Sequence, residues 1–163
     1  MMQAVEEKPV RSRRFDSPEQ EAFLSLWRTY DRLKALEDEL FSRYDLTAQQ
    51  YNTLRLLRAA HPEKLPTLVL AGQLVSRAPD ITRLLDRLDE RDLVTRERRS
   101  GDRRTVYVGL TECGIRLLNQ LNPEVRACHT RQLGHLTPDE LRQLTDLLRK
   151  ALGPHEPPDS TWR

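Results

Sequence analysis

Arginines are concentrated between Val94 and Arg104, where Glu97 and Asp102 are the only acidic residues that offset them. A guanidinium is planar and always charged, and its fork of N–H donors matches phosphates and guanine edges. The chain of 163 residues carries a formal net charge of only +2. A basic cluster on a nearly neutral chain indicates a specific polyanion contact rather than general coating of nucleic acid. The arginines of this cluster are Arg96, Arg98, Arg99, Arg103 and Arg104.

The cluster surrounds a predicted turn. After Leu93 the apolar spacing changes from 3.6 to 2, which predicts strands over Val94–Arg99 and Arg104–Leu110. Ser100-Gly101-Asp102 supplies the turn chemistry between them. A guanidinium at the tip could enter a narrow A·T-rich minor groove, with Asp102 orienting its neighbour through a bidentate pair. A solvated charged turn is the alternative for such a cluster considered alone.

Two short helices precede this hairpin. Thr67 is expected to cap a helix over Leu68–Leu74, and Ser76 to cap a second helix that runs to about Arg91. Helices joined by a tight turn predict a helix-turn-helix, although other αα-hairpins share the pattern. Followed by a hairpin tipped with arginine, they have the order of a winged helix-turn-helix.

The outward face of the second helix carries the candidate base contacts. Arg83 can present a bidentate fork to guanine, and Thr82 and Pro79 can meet thymine methyl groups. Ser76 and the helix N-terminus can hold a phosphate, and Arg87 is a further candidate contact. Intrahelical ion pairing is the alternative, since the acidic and basic residues of this face lie three and four apart.

The remaining helices flank this unit. Capping boxes at Ser17, Thr47 and Thr137 open helices that end near Tyr44, Ala60 and Leu152, and a further helix spans Thr111 to about Leu133. The two ends of the chain carry more apolar surface than a small winged domain can cover, which favours a two-fold dimer. The predicted fold is mainly α with a small β-hairpin wing, a winged helix-turn-helix with N- and C-terminal dimerisation helices.

The expected division of the chain follows from these elements, within one compact domain. It comprises a flexible arm over 1–16, a helical dimerisation region over 17–46 and 111–152, a DNA-binding region over 47–110, and a flexible tail over 153–163.

Composition excludes several other classes. No apolar run approaches the roughly 20 residues of a membrane span, and the first residues lack the apolar core of a signal peptide. Two cysteines cannot build a disulfide framework, so a cytoplasmic protein is expected. Paired catalytic carboxylates, glycine-rich phosphate loops, nucleophile motifs and metal-ligand spacing are missing. We therefore expect neither an enzyme nor a cofactor or metal site.

The stretch from Leu70 to Gly114 resembles the MarR family of bacterial transcriptional regulators. The resemblance rests on the helix Ser76–Leu88, on the wing signature Asp102-Arg103-Arg104, and on Leu110-Thr111-Glu112-Cys113-Gly114 at the family's spacing. It extends over about Pro18 to Leu152, because the flanking helices occur in family order. Asp92 departs from it, since many relatives have glycine there.

The resemblance implies a homodimer on double-stranded DNA, with helices from both termini interlocked. It implies Arg83 in the major groove, Arg104 in the minor groove, and Asp102 supporting the wing arginine. The sequence thus predicts a regulator, most simply a repressor of a pseudo-palindromic operator. The candidate DNA contacts are Ser76, Pro79, Thr82, Arg83, Arg87, Arg98, Arg99, Asp102, Arg103 and Arg104.

Family members commonly respond to small aromatic acids or oxidants. Trp27, Arg28, Tyr30 and Tyr51 are candidates for a pocket for a small aromatic effector, although aromatics at helical spacing usually belong to a core. Cys113 and Cys128 leave an oxidant response open, with packed or idle thiols as the alternative. A winged-helix module that binds an acidic protein partner, without reading DNA sequence, is the alternative function.

Overall fold

A computed structural model describes residues 15–75, 80–160 and 162, without the side chain of Arg103. Residues 1–14, which form most of the predicted arm, and the candidate contacts Ser76 and Pro79 therefore lie outside the described residues. None of the described helices is both long enough and apolar enough to cross a lipid bilayer. In chain order the elements are α1 (Pro18–Ser42), α2 (Ala48–Ala60), β1 (Leu65–Pro66), α3 (Thr67–Gln73), α4 (Ile81–Asp89), β2 (Val94–Arg99), β3 (Asp102–Leu110), α5 (Glu112–Leu133), α6 (Pro138–Leu152) and a 3-10 turn (Gly153–His155).

Local capping chemistry sets the starts of α2 and α6, as the sequence predicts. The Thr47 hydroxyl accepts from the Gln50 N–H, and the Gln50 side chain accepts from the Thr47 N–H. Thr137 and Glu140 make the same reciprocal pair before α6. Both capping boxes are confirmed.

The start of α1 differs from the predicted box by one residue. The Ser17 hydroxyl accepts from the Gln20 N–H at 3.1 Å, but the Gln20 side chain accepts from the N–H of Asp16 rather than of Ser17. The Asp16 carboxylate in turn accepts from the Gln20 amide nitrogen. The Gln20 side chain therefore accepts a hydrogen bond from the backbone N–H of Asp16, the residue before the cap, instead of from the backbone N–H of Ser17.

The chain divides into two compact units, Met1–Ala35 and Leu36–Arg163. In the first unit every side chain from 21 to 30 is exposed, including large apolar ones. The second unit has a continuous core. Its fully buried side chains include Phe41, Leu54, Leu57, Leu70, Leu85, Leu88, Leu118 and Leu121.

The sheet has three antiparallel strands in the order β1-β3-β2. The hairpin of β2 and β3 matches the prediction, whereas β1 is an addition: Leu65 pairs with Val108, and Pro66 with Tyr107. The expected cap at Thr67 is wrong. The Thr67 hydroxyl instead donates to the Val106 carbonyl at 2.9 Å, and α3 has no side-chain cap. Thr67 thereby ties the first helix of the helix-turn-helix to the wing.

The entry to α5 is tied to the connection between α4 and β2. The Thr111 hydroxyl accepts from the Gly114 N–H and donates to the Asp92 carbonyl at 2.6 Å. A Cβ at Gly114 would lie 2.4 Å from the Leu93 carbonyl oxygen, so only glycine permits this approach. The family-like Leu-Thr-x-x-Gly signature is therefore a packing device at the base of the wing.

The described part of the predicted tail begins with a 3-10 turn. Helix α6 ends at Leu152, as predicted, and Gly153, which has helical φ and ψ, begins the 3-10 turn. The Ser160 N–H donates to the Pro157 carbonyl, and the Ser160 hydroxyl bonds to Glu156. Turns thus continue through the described part of the predicted tail.

Asp92, which departs from the family pattern, carries backbone strain. Its φ is +54°, a left-handed value that costs non-glycine residues free energy and glycine none. We expect Asp92→Gly to raise the free energy of unfolding by about 0.5–1 kcal/mol, after allowing for the greater freedom of glycine in the unfolded chain. Chemical denaturation measures this change. Asp92→Ala is the control and should not stabilise; a lower stability of Asp92→Gly would contradict the strain.

Candidate nucleic-acid interface

The candidate recognition helix α4 begins at Ile81. The Asp80 side chain accepts from the Arg83 N–H at 2.9 Å and caps the helix. The described helix therefore starts four residues later than a cap at Ser76 predicts. Leu85 and Leu88 are buried in the core. Thr82, Arg83 and Arg87 are exposed.

The guanidinium groups of Arg83 and Arg87 form no ion pair within the described part of the chain. The sequence offered intrahelical partners, but Asp80 is engaged in capping and Asp86 is paired with Arg96. The alternative of intrahelical pairing is therefore not what the structure shows. Both guanidinium groups remain free to bind an external acceptor.

The tip of the wing is a turn at Ser100 and Gly101, with φ of Gly101 at +96°. The Asp102 carboxylate accepts from the backbone N–H groups of Arg104 and Thr105, at 3.2 and 3.1 Å. Hydrogen bonds from Thr105 and from the Arg104 N–H hold the pKa of Asp102 below its ordinary value. Asp102 therefore fixes the backbone of Arg104 and forms no ion pair with the Arg104 guanidinium. The expected bidentate pair between Asp102 and a neighbouring arginine stays a prediction, because the side chain of Arg103 lies outside the described part.

The wing arginines sit where the two strands lose their regular register. Glu97 pairs with Tyr107 and Arg99 pairs with Asp102, so that Arg98 alone on β2 faces residues 103–106 on β3. Such bulges re-aim side chains. The Arg99 guanidinium lies over the Tyr107 ring, 3.9 Å from its centroid. Arg98 and Arg104 are exposed, and the side chain of Arg103 lies outside the described part.

The structure brings the predicted contacts of α4 and the wing onto two neighbouring recesses of about 200 Å³ each. Thr82, Arg96 and Arg104 are among the residues that line the first recess. In the second, Arg83 and Arg87 adjoin the first turn of α2. The candidate surface thus runs from α2 across α4 to the wing.

Arg96 belongs to the arginine cluster of the sequence but is not among the candidate DNA contacts predicted from it. Its guanidinium bonds to Asp86 at 2.7 Å and to Asp89 at 3.0 Å, and its side chain is one-quarter exposed. The hydrogen bond to Asp86 raises the pKa of Arg96, against the opposing effect of burial. The alternation of side chains along a strand could have indicated that Arg96 faces inward. Arg96 lies two residues after the buried Val94, so both side chains point to the same face of β2.

The candidate effector residues are described separately in the two units. Trp27, Arg28 and Tyr30 on α1 are exposed. Tyr51 on α2 is half-buried and stacks on Phe41, with ring centroids 4.5 Å apart. The effector pocket stays a prediction.

The two cysteines have different environments. Cys113 is partly exposed, whereas Cys128 is buried and burial raises the pKa of its thiol. A raised pKa leaves less of the reactive thiolate at neutral pH. An oxidant response of either cysteine stays a prediction.

Comparison with known proteins agrees with this geometry. The family model for the transcriptional regulators SarA/Rot matches residues 35–121. The chain is similar to a MarR transcription factor from Planctomyces limnophilus, with 59% identity, coverage of 83% of this chain and 98% of that one, and a TM-score of 0.67. It is 29% identical to an E. coli MarR mutant crystallised with operator DNA, covering 81% and 94% of the two chains with a TM-score of 0.73.

A third structure concerns Bordetella bronchiseptica BpsR, whose DNA binding is regulated by 6-hydroxynicotinic acid. It is 26% identical to this chain, covers 80% of it and 98% of its own length, and gives a TM-score of 0.72. The predicted fold class, mainly helical with a small antiparallel wing, is confirmed by these winged-helix neighbours. Family model, identity and coverage together show that this chain belongs to the MarR family of transcriptional regulators.

Proposed function

We propose that this regulator is a cytoplasmic, sequence-specific DNA-binding repressor that acts as a homodimer on a pseudo-palindromic operator. The observation that carries the proposal is that the guanidinium groups of Arg83 and Arg87, on the exposed face of α4, form no ion pair with any residue that the structure describes. They lie beside a wing whose Arg104 shares a recess with Thr82. The similar E. coli MarR mutant in complex with operator DNA supports the same assignment.

Each element has a distinct role in this proposal. α4 enters the major groove, where Arg83 binds guanine and Thr82 meets a thymine methyl group. The wing carries Arg104 into the minor groove, where negative potential attracts a guanidinium. Pro79 also meets a thymine methyl group, Ser76 holds a phosphate, and Asp102 supports the wing arginine. The remaining predicted contacts are Arg87, Arg98, Arg99 and Arg103.

The dimer is proposed from the apolar surface that a single chain leaves exposed. Trp27 on α1 is 62% exposed, and Leu147 on α6 is 65% exposed. Phe23, Tyr30 and Leu148 add to these surfaces. α6 has no buried residue of its own. Large exposed apolar patches mark association sites, and two-fold association would place two α4 helices about one turn of DNA apart.

Repression follows in this account from occlusion of a promoter by the bound dimer. An effector that favours a different distance between the two α4 helices would release the DNA, because it would bind better to the form that does not fit B-DNA. Regulation of BpsR by 6-hydroxynicotinic acid supports a small aromatic acid as the class of effector.

Arg104→Ala is expected to weaken binding to cognate and scrambled duplexes alike, because a minor-groove guanidinium contributes mostly charge. The slope of log K against log salt should flatten by about one unit for each phosphate neutralisation lost. A salt titration by fluorescence anisotropy measures both quantities. Arg126→Ala removes the same charge from the exposed side of α5 and serves as the control. An unchanged slope in Arg104→Ala would remove Arg104 from the DNA contact.

The function itself is tested by comparing a duplex recovered by selection with its scrambled version as the salt concentration rises. A sequence reader keeps a large ratio of the two affinities at physiological salt, whereas electrostatic contact alone loses both together. Equal affinities throughout the titration would favour the alternative, a winged-helix module that binds an acidic protein partner. Such a partner would use the same arginines without discriminating between duplexes.

A further inference from the structure

Arg96 joins the wing to the recognition helix through two carboxylates. Its Nη2 lies 2.7 Å from Asp86 Oδ1 and 3.0 Å from Asp89 Oδ2, and its Nε lies 3.2 Å from the same Asp89 oxygen. The Arg96 side chain is 25% exposed, and those of Asp86 and Asp89 are 48% and 43% exposed. One guanidinium on β2 is therefore fixed to two successive turns of α4.

The contact with Arg96 determines which arginine Asp86 pairs with. Asp86 lies three residues after Arg83 on α4, the spacing at which opposite charges on a helix form ion pairs. Pairing with Asp86 would hold the Arg83 guanidinium against the helix and neutralise it. In the structure Asp86 is instead directed to Arg96, and Arg83 forms no ion pair in the described region.

The same contact places the wing relative to α4. Arg96 lines one recess together with Thr82 and Arg104. A guanidinium fork restricts both distance and orientation more strongly than a single point charge does. The separation between the base-contacting and minor-groove arginines therefore depends on this junction.

We propose that Arg96 is a positioning residue for base recognition: it withholds Asp86 from Arg83 and fixes the wing against α4, without touching DNA. The inference rests on the proposed function, because it assigns to Arg83 the base contact that Arg96 keeps free. It predicts a loss of discrimination between sequences rather than a loss of general affinity.

The test compares Arg96→Ala, Asp86→Ala and the double variant on cognate and scrambled duplexes. Arg96→Ala should lower the ratio of cognate to scrambled affinity by about tenfold, with an unchanged salt slope. Asp86→Ala should keep the ratio, because Arg83 then has no competitor and Asp89 still holds Arg96. The double variant should recover much of the ratio that Arg96→Ala loses.

Two results would overturn the inference. A flatter salt slope in Arg96→Ala, with no recovery in the double variant, would show that Arg96 itself contacts phosphate. An unchanged ratio in Arg96→Ala would show that the junction does not position Arg83. Either result leaves the proposed function intact as long as the wild-type chain discriminates between the duplexes, whereas a wild-type chain that does not discriminate contradicts the proposed function itself.

Circular dichroism and thermal unfolding show whether each variant folds. Arg96→Lys provides a second variant, since lysine keeps the charge and lacks the fork. It should give a ratio between those of the wild type and Arg96→Ala. A lysine variant that folds and discriminates as well as the wild type would reject the requirement for a bidentate junction.

Discussion

Arg83→Ala is expected to remove most of the preference for the cognate operator while leaving the residual binding to scrambled DNA largely intact. A bidentate arginine contact to guanine contributes about 1–3 kcal/mol of discrimination against the wrong base. This corresponds to a loss of roughly 5- to 150-fold in the affinity ratio for each subunit. The reason lies in the structure, where the Arg83 guanidinium is exposed and its intrahelical partners are engaged elsewhere.

The measurement is a pair of equilibrium titrations at physiological salt, with the cognate duplex and with a duplex changed at the proposed guanine. Arg87→Ala is the matched comparison, because it removes the same charge from the next turn of the same helix. Arg87→Ala should lower the affinity for both duplexes by similar factors. If Arg83→Ala binds the two duplexes with the wild-type ratio, the base contact belongs to another residue.

Leu147→Glu should have the largest effect, because it places a carboxylate on the apolar face of α6 that the proposed dimer buries. Full burial of a leucine side chain stabilises the associated state by roughly 1.5–3 kcal/mol. The substitution occurs in both subunits of a two-fold dimer, so this stabilisation is lost twice. Burial of an unpaired charge adds a further cost. We expect the dimer dissociation constant to rise by at least about 100-fold, with a similar or larger loss of operator affinity.

Sedimentation velocity at micromolar concentration measures the first effect and anisotropy titration the second. Arg149→Gln changes the net charge of α6 by the same amount, at a side chain that is exposed and carries only a weak surface contact to Asp146. This control should remain dimeric. A Leu147→Glu chain that stays dimeric would exclude this face of α6 from the interface.

Several features of the fold were predictable because their causes are local. Thr47 and Gln50, or Thr137 and Glu140, carry both halves of a capping box within four residues, so the helix starts follow from the sequence alone. The hairpin was predictable for a related reason, because the alternating apolar residues of its strands and the residues of its turn are adjacent in the sequence. The residue at its tip, Gly101, has the positive φ that such a turn needs.

Other features depended on which of several possible caps, strand partners or ion-pair partners the folded chain uses, and the sequence does not decide between them. Ser76 and Asp80 are both good capping residues, and the described helix uses Asp80. The pair Leu65-Pro66 has no strand pattern, and its pairing is set by β3, more than forty residues away. Asp86 has possible ion-pair partners in its own helix, but it pairs with Arg96, which is more distant along the chain and partly buried.

These competitions matter most at the candidate interface. Sequence spacing placed Arg83 and Arg104 in suitable elements, but it did not show which carboxylates would neutralise them. Asp102 illustrates the difference, because its carboxylate binds the backbone N–H groups of Arg104 and Thr105 and, among the described side chains, no guanidinium. Long-range ion pairing was therefore the part of the site that required the structure.

Selection from a random duplex pool, followed by sequencing, tests sequence recognition by a symmetric pair of α4 helices most directly. The wild-type chain, near physiological ionic strength, should enrich one motif with two-fold symmetry and half-site centres about 10 base pairs apart. Recovery of DNA without any enriched motif, or of a single unpaired half-site, would contradict a dimeric operator-binding regulator.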